Sequence, residues 1–150
     1  MDRKKILRET EELIFIHIGD AVKPLVKSMH KILDKAKVPL QFDQIQPLME
    51  LYKIGELSQQ EIADSIGRDK SSVQRTIQNL IKMGLVTIEV DAADKRRNKV
   101  NITAKGQSLA EKIHLNAVDV NRKVTRTISK EEMAQFKSIL GKIKTNAETL

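Results

Sequence analysis

Residues 57–106, LSQQEIADSIGRDKSSVQRTIQNLIKMGLVTIEVDAADKRRNKVNITAKG, decide the fold. They open on Ser58-Gln59-Gln60-Glu61, a serine followed three residues later by a glutamate. In that pattern each side chain satisfies the other residue's backbone N–H at a helix start. Ile62, Ala63 and Ile66 then give a short helix its inward face, and Gly67 stops it. Asp69 is placed to cap a second helix over 70–83, with Val73, Ile77, Leu80 and Ile81 inward and Gly84 closing it. Next the period falls to two: Val86, Ile88 and Val90 alternate with Thr87 and Glu89, as in a half-buried strand. A polar run over 91–99 leads to a second short strand bearing Val100 and Ile102. Two short helices at a tight turn, followed by a hairpin with a long charged tip, predict a winged helix-turn-helix.

Outward from this centre the chain reads as helix. Over residues 3–36 apolar positions recur at helical spacing (Ile6, Leu7, Leu13, Ile14, Ile16, Ile18, Val22, Leu25, Val26, Met29, Ile32 and Leu33). Proline lacks the N–H and clashes one turn back, so a kink, or a split into two helices, is expected before Pro24. The stripe is too wide for a lone surface helix, and part of it is expected to pack on another subunit. A helix over about 41–53 should present Phe42, Ile45, Leu48, Met49 and Tyr52 on one face and end at Gly55. Thr103 reads as the cap of a long helix to about Val124. Ser129-Lys130-Glu131-Glu132 is a second capping box, opening a final helix with Met133, Phe136, Ile139, Leu140 and Ile143 on one face.

Composition agrees with this plan and excludes several classes. A length of 150 residues fits one domain, and 40% hydrophobic residues can build a core. With 3% aromatics, the usage is that of a helical protein rather than a β-sandwich. No cysteine is present, which removes disulfides, thiolate zinc sites and thiol redox switches. No apolar run approaches the ~20 residues of a membrane helix. The charged start, Met1 to Lys5, is not followed by a long apolar core, so no signal peptide is expected and the cytoplasm is the expected compartment. No catalytic set emerges: there is no nucleophile elbow, phosphate-binding glycine loop or His-Glu-x-x-His, so an enzyme is not expected, nor a cofactor. His17 and His30 would lie ~20 Å apart on one straight helix, too far to share a metal. No metal site is therefore assigned, with a zinc site of His114, Glu111 and a histidine of the first helix left as the open alternative.

The charge is placed as well as present. The chain carries a formal net charge of +7, and residues 68–105 hold nine cations against four anions, a local +5. On the second helix of the pair, Lys70, Ser71, Ser72, Gln74, Arg75 and Gln78 lie on the side away from Val73, Ile77 and Leu80. An α-helix fits the major groove of DNA, where arginine binds guanine and glutamine binds adenine with two hydrogen bonds each. Lysine, serine and the helix N-terminus suit phosphate oxygens. The hairpin tip, Asp94-Lys95-Arg96-Arg97-Asn98-Lys99, packs four cations into five residues. Such a cluster repels itself unless something anionic arrives, and an arginine on a narrow hairpin can enter the minor groove. Lys95, Arg96, Arg97 and Lys99 join the candidate DNA contacts, while Asp94 is expected to pair with Arg96 and hold the tip in shape.

Taken as an ordered set, residues 57–63 through Val73, Leu80 to Val86, Asp94-Lys95-Arg96-Arg97, and Ile102-Thr103-Ala104-Lys105-Gly106 resemble the MarR family of bacterial and archaeal transcription regulators. The resemblance extends over nearly the whole chain. It implies an obligate dimer whose N- and C-terminal helices interlock and whose two winged domains read a pseudo-palindromic operator. It places recognition residues on Ser71, Ser72, Gln74 and Arg75, and the wing's Asp-x-Arg pattern on Asp94 and Arg96, with Lys95 where arginine is common. The fold class is then mainly α with a small β-hairpin. Residues 1–36 are the N-terminal helix of the dimerisation region, 37–103 the DNA-binding lobe (recognition helix 70–83, wing 86–102), and 104–150 the C-terminal dimerisation helices. Many relatives release DNA when a small molecule, often an aromatic anion, binds beside the dimer helices. The candidate lining here is Ile14, His17, Ile18, Met49 and Tyr52, with plain core packing as the alternative. The expected function is a dimeric repressor of double-stranded DNA. A winged-helix module that binds protein without specific DNA binding stays open, as does a ligand-carrying helical protein.

Overall fold

The computed structural model describes residues 10–90 and 98–150. Two compact units divide the chain, Met1–Ala117 and Val118–Leu150. The first holds helices α1 (Ile14–Lys35) and α2 (Phe42–Ile54), strand β1 (Leu57–Ser58), helices α3 (Gln59–Ile66) and α4 (Lys70–Lys82), and strands β2 (Val86–Val90) and β3 (Asn98–Ile102). Helix α5 (Ala104–Val124) begins in the first unit and ends in the second, which also holds α6 (Lys130–Glu148).

The helix ends follow local chemistry. At α3, Ser58 N–H donates to Glu61 Oε2 at 2.7 Å and Glu61 N–H to Ser58 Oγ at 3.2 Å. Gly67 ends α3 in the left-handed region, at φ 65°, so that Arg68 N–H can reach back to the Ala63 carbonyl. Asp69 Oδ1 accepts Ser72 N–H at 2.8 Å and starts α4. Ser129 and Glu132 repeat the reciprocal cap at α6. At α2, Gln41 N–H donates to Gln44 Oε1 at 2.9 Å, while Gln44 N–H donates to the Gln41 carbonyl, half of such a cap with glutamine where serine or threonine is usual.

The core of the first unit gathers where these helices meet the sheet. Leu48, Leu51, Ile62, Val73, Ile77, Leu80 and Val100 are fully buried, joined by Ala110 and Ile113 of α5. The sheet is antiparallel and three-stranded, in the order β1-β3-β2, with Ile88 opposite Val100 and Leu57 opposite Val100 on the other side. The sequence predicts only the β2–β3 hairpin. Strand β1 has two residues, too few to show alternation, and its Ser58 already serves as the cap of α3.

Three further expectations are corrected. Of the two outcomes expected at Pro24, the split does not occur: helix α1 runs through it as one element. Pro24 is exposed, so the carbonyl freed by its missing N–H faces solvent rather than a dry interior. On α2 the buried stripe is Ile45, Leu48 and Leu51, whereas Phe42 and Tyr52 are about 40% exposed. Leu51 follows Leu48 by three residues and turns the stripe away from Tyr52, and the Phe42 ring instead meets His30 with centroids 5.6 Å apart. Lys99 and Asn98 belong to β3 rather than to the hairpin tip. In the second unit the expected apolar stripe of α6 exists, but none of its residues is buried and Phe136 and Ile139 are each 54% exposed. Ile6 and Leu7 of the first stripe lie outside the described residues.

Candidate nucleic-acid interface

Helix α4 is pressed into the core along one side and open along the other. Val73, Thr76, Ile77 and Leu80 are buried. Lys70, Ser71, Gln74, Arg75, Gln78, Asn79 and Lys82 are exposed, and all but Lys70 line an open concavity. This face carries three cations and no carboxylate. At 13 residues the helix is ~20 Å long, long enough to lie in a major groove ~12 Å wide. Asn79 and Lys82 were not among the predicted contacts. Their signal was present, since they stand one turn beyond Arg75 and Gln78.

Ser72 is the predicted reader that the structure sets apart. It is half-buried, its N–H is held by Asp69, and its Oγ accepts a hydrogen bond from Arg68 Nη2. Arg68 Nη1 also donates to the Asp43 carbonyl at 3.3 Å, tying the first turn of α2 to the first turn of α4. The Arg68–Ser72 pair therefore positions the start of α4.

The far end of α4 is fastened too. After the helix, three successive carbonyls each accept a hydrogen bond from the start of α5. Met83 O receives Lys105 Nζ at 2.7 Å, Gly84 O receives Thr103 Oγ1 at 2.8 Å, and Leu85 O receives Thr103 N–H at 3.0 Å. Thr103 Oγ1 then accepts Gly106 N–H at 3.1 Å, capping α5 as its sequence predicts. A Cβ at Gly106 would stand 2.1 Å from Leu85 O, so only glycine allows α5 this close to the α4–β2 corner. Motif residues 103–106, which looked in the sequence like a helix start, form a clasp on the exit of α4.

Of the wing residues, Asp94, Lys95, Arg96 and Arg97 lie outside the described residues. Lys99 lies on β3 opposite Glu89, with its Nζ 2.6 Å from Glu56 Oε1, so its charge is met within the lobe. Of the candidate effector residues, Tyr52 borders a recess of about 520 Å³ together with Leu51, Gly55, Ile102, Ala104, Gln107, Ser108 and Glu111. That lining does not include Ile14, His17, Ile18 or Met49, and Ile14 and His17 are exposed on α1. Among the described residues, no group of three His, Cys, Asp or Glu could hold a metal ion, and no helix is long and apolar enough to cross a membrane.

Comparison with known proteins agrees with this geometry. Residues 38–97 match the model of the MarR family. A MepR–DNA complex from S. aureus superposes with a TM-score of 0.77 at 23% identity, covering 90% of this chain and 99% of that one. BpsR of Bordetella bronchiseptica, whose DNA binding is regulated by 6-hydroxynicotinic acid, gives 0.77 at 21%, covering 89% and 94%. Apo wild-type MarR from E. coli gives 0.71 at 18%, covering 87% and 96%. At these identities the likeness to the solved structures is one of fold. The chain carries a winged helix-turn-helix within a mainly helical frame, and its residues 38–97 match the MarR-family model.

Proposed function

We propose that this chain, with its MarR-family lobe over residues 38–97, is a DNA-binding transcription regulator that represses a pseudo-palindromic operator as a homodimer. The observation that carries the reading is the exposed face of α4, held at both ends and lined by Ser71, Gln74, Arg75, Gln78, Asn79 and Lys82. In the major groove Arg75, Gln74 and Gln78 read base edges, while Lys70, Ser71 and Lys82 meet phosphates. Ser72 acts through the placement of α4. Lys95, Arg96 and Arg97 engage the minor groove or its phosphates, with Asp94 holding Arg96 in the tip. Lys99 stiffens the base of the wing through Glu56.

Dimerisation is favoured by apolar surface that each unit leaves open. On α1, Ile14 and Phe15 are 52% and 63% exposed, and Val22 and Leu25 follow at helical spacing. In the second unit the stripe of α6 is likewise uncovered. Faces of this kind mark association surfaces. The domain plan, with terminal helices serving the dimer and residues 37–103 serving DNA, follows. Release by a small aromatic or anionic effector is the further part of the proposal. The BpsR relative offers a precedent, and the recess beside Tyr52 offers a place.

Two substitutions test the assignment. Arg75→Ala is expected to cost on the order of 1–3 kcal/mol in operator affinity and to relax preference at one base. Arg97→Ala is expected to weaken all sequences alike and to flatten the dependence of affinity on salt. Both are read by duplex titration at two salt concentrations. Unchanged binding by both variants contradicts the assignment.

A further inference from the structure

Strand β3 pairs with β2 from Val86 to Val90, but with β1 only at Leu57 and Ser58. Those two residues lead straight into α3, because Ser58 is also its N-cap. Strand β1 is thus a short bridge between the hairpin and the helix pair that presents the exposed face of α4. A two-stranded ribbon twists more than a wider sheet, so the angle of the hairpin depends on how firmly this bridge holds. Leu57, Val100 and Ile88 form one row across the sheet, and Ser58, Lys99 and Glu89 the next, on the opposite face. The first row meets the core, where Val100 is fully buried. The second carries charge. Lys99 stands opposite Glu89, and its Nζ lies 2.6 Å from Oε1 of Glu56, the residue just before β1.

A carboxylate here works against a polyanion partner. It repels phosphate, and it engages a lysine that would otherwise add to the cations facing DNA. What the Glu56 carboxylate supplies is direction, since a charge-assisted hydrogen bond fixes Lys99 and with it the base of β3. We propose that Glu56 is a positioning residue that sets base choice by the wing. By holding Lys99 it fixes the angle between the β2–β3 hairpin and α4. That angle decides which base pairs, beside those read by α4, the hairpin meets. The base choice rests on the DNA-binding reading of α4 and the wing; the mechanical link does not. The sign of the effect separates this role from charge alone. If charge is all that matters, removing Glu56 and releasing Lys99 from it strengthens DNA binding and steepens its salt dependence. Loss of positioning weakens binding instead.

The test titrates a duplex selected by the parent chain with Glu56→Ala and Glu56→Gln, each alone and in a Lys99→Met background. The pair is largely exposed, so none of these changes threatens folding. Glu56→Ala is expected to weaken binding at least threefold. On reselection from a random pool it is expected to lose preference at the flanking base pairs while the positions read by α4 stay enriched. Glu56→Gln keeps an oxygen that can accept from Lys99 and is expected to lose less. In the Lys99→Met background, Glu56→Ala is expected to leave affinity unchanged, because Glu56 acts through Lys99. The proposal is overturned by affinity that stays or rises in Glu56→Ala, by equal losses in the two Glu56 variants, by a loss undiminished in Lys99→Met, or by flanks that keep their preference. A second arm, without DNA, measures residual dipolar couplings of backbone amides in the full chain. In the parent, one alignment frame is expected to fit β2, β3, α3 and α4; in Glu56→Ala, β2 and β3 are expected to leave it. If they stay, Glu56 does not position the hairpin. Should the parent select no duplex, the DNA reading fails while the couplings still decide the link.

Discussion

Gly106 concentrates the sensitivity of the lobe in one hydrogen atom. Any side chain there meets Leu85 O, which already accepts the Thr103 N–H, and Ile102 Cγ1 at 2.8 Å. Neither neighbour is the free end of a flexible side chain, so α5 must move away from the α4–β2 corner. Gly106→Ala is expected to destabilise by at least about 1–3 kcal/mol, the usual cost of overpacking, despite alanine's better helix propensity. Chemical denaturation reads this as a lower midpoint at constant slope; an unchanged midpoint contradicts the close approach. Arg75 is the opposite kind of residue. It is exposed, and its replacement is expected to change DNA recognition, as proposed above, rather than stability.

At the scale of elements, caps decide where α4 begins. Asp69→Ala removes the acceptor for Ser72 N–H and is expected to cost about 1 kcal/mol of stability. It is also expected to weaken DNA binding, because Ser72 and Lys70 sit in the loosened turn. Ser129→Ala removes an equivalent cap in the other unit and is expected to cost similar stability without touching DNA affinity. Equal effects of the two on DNA contradict the role given to the start of α4. The caps, the glycine stops and the strand alternation were legible because each is a local pattern of a few residues. The face of α4 was legible for the same reason, as a 3.6-residue period. Strand β1 was not, since two residues carry no period. Arg68 and the clasp of Thr103 and Lys105 were not either. Their partners, Asp43 and the carbonyls of 83–85, stand 18 to 25 residues away and are backbone atoms that leave no trace in side-chain pattern. On α2 the sequence misplaced the stripe because Tyr52 and Leu51 are both apolar enough to be inward, and only packing chooses between them.

At the scale of the whole molecule, the proposed homodimer places two copies of α4 on one face of DNA. Successive major grooves on that face are ~34–36 Å apart, so its operator is expected to be two-fold related with half-sites one helical turn apart. A charge of +7, concentrated around α4 and the wing, makes affinity fall steeply with salt, while base choice persists. The most direct measurement is selection of bound duplexes from a random pool, repeated at two salt concentrations. The account predicts one enriched pseudo-palindrome with that spacing at both concentrations, recovered in lower yield at the higher. A pool that stays unenriched, or an enriched site without two-fold symmetry, contradicts it.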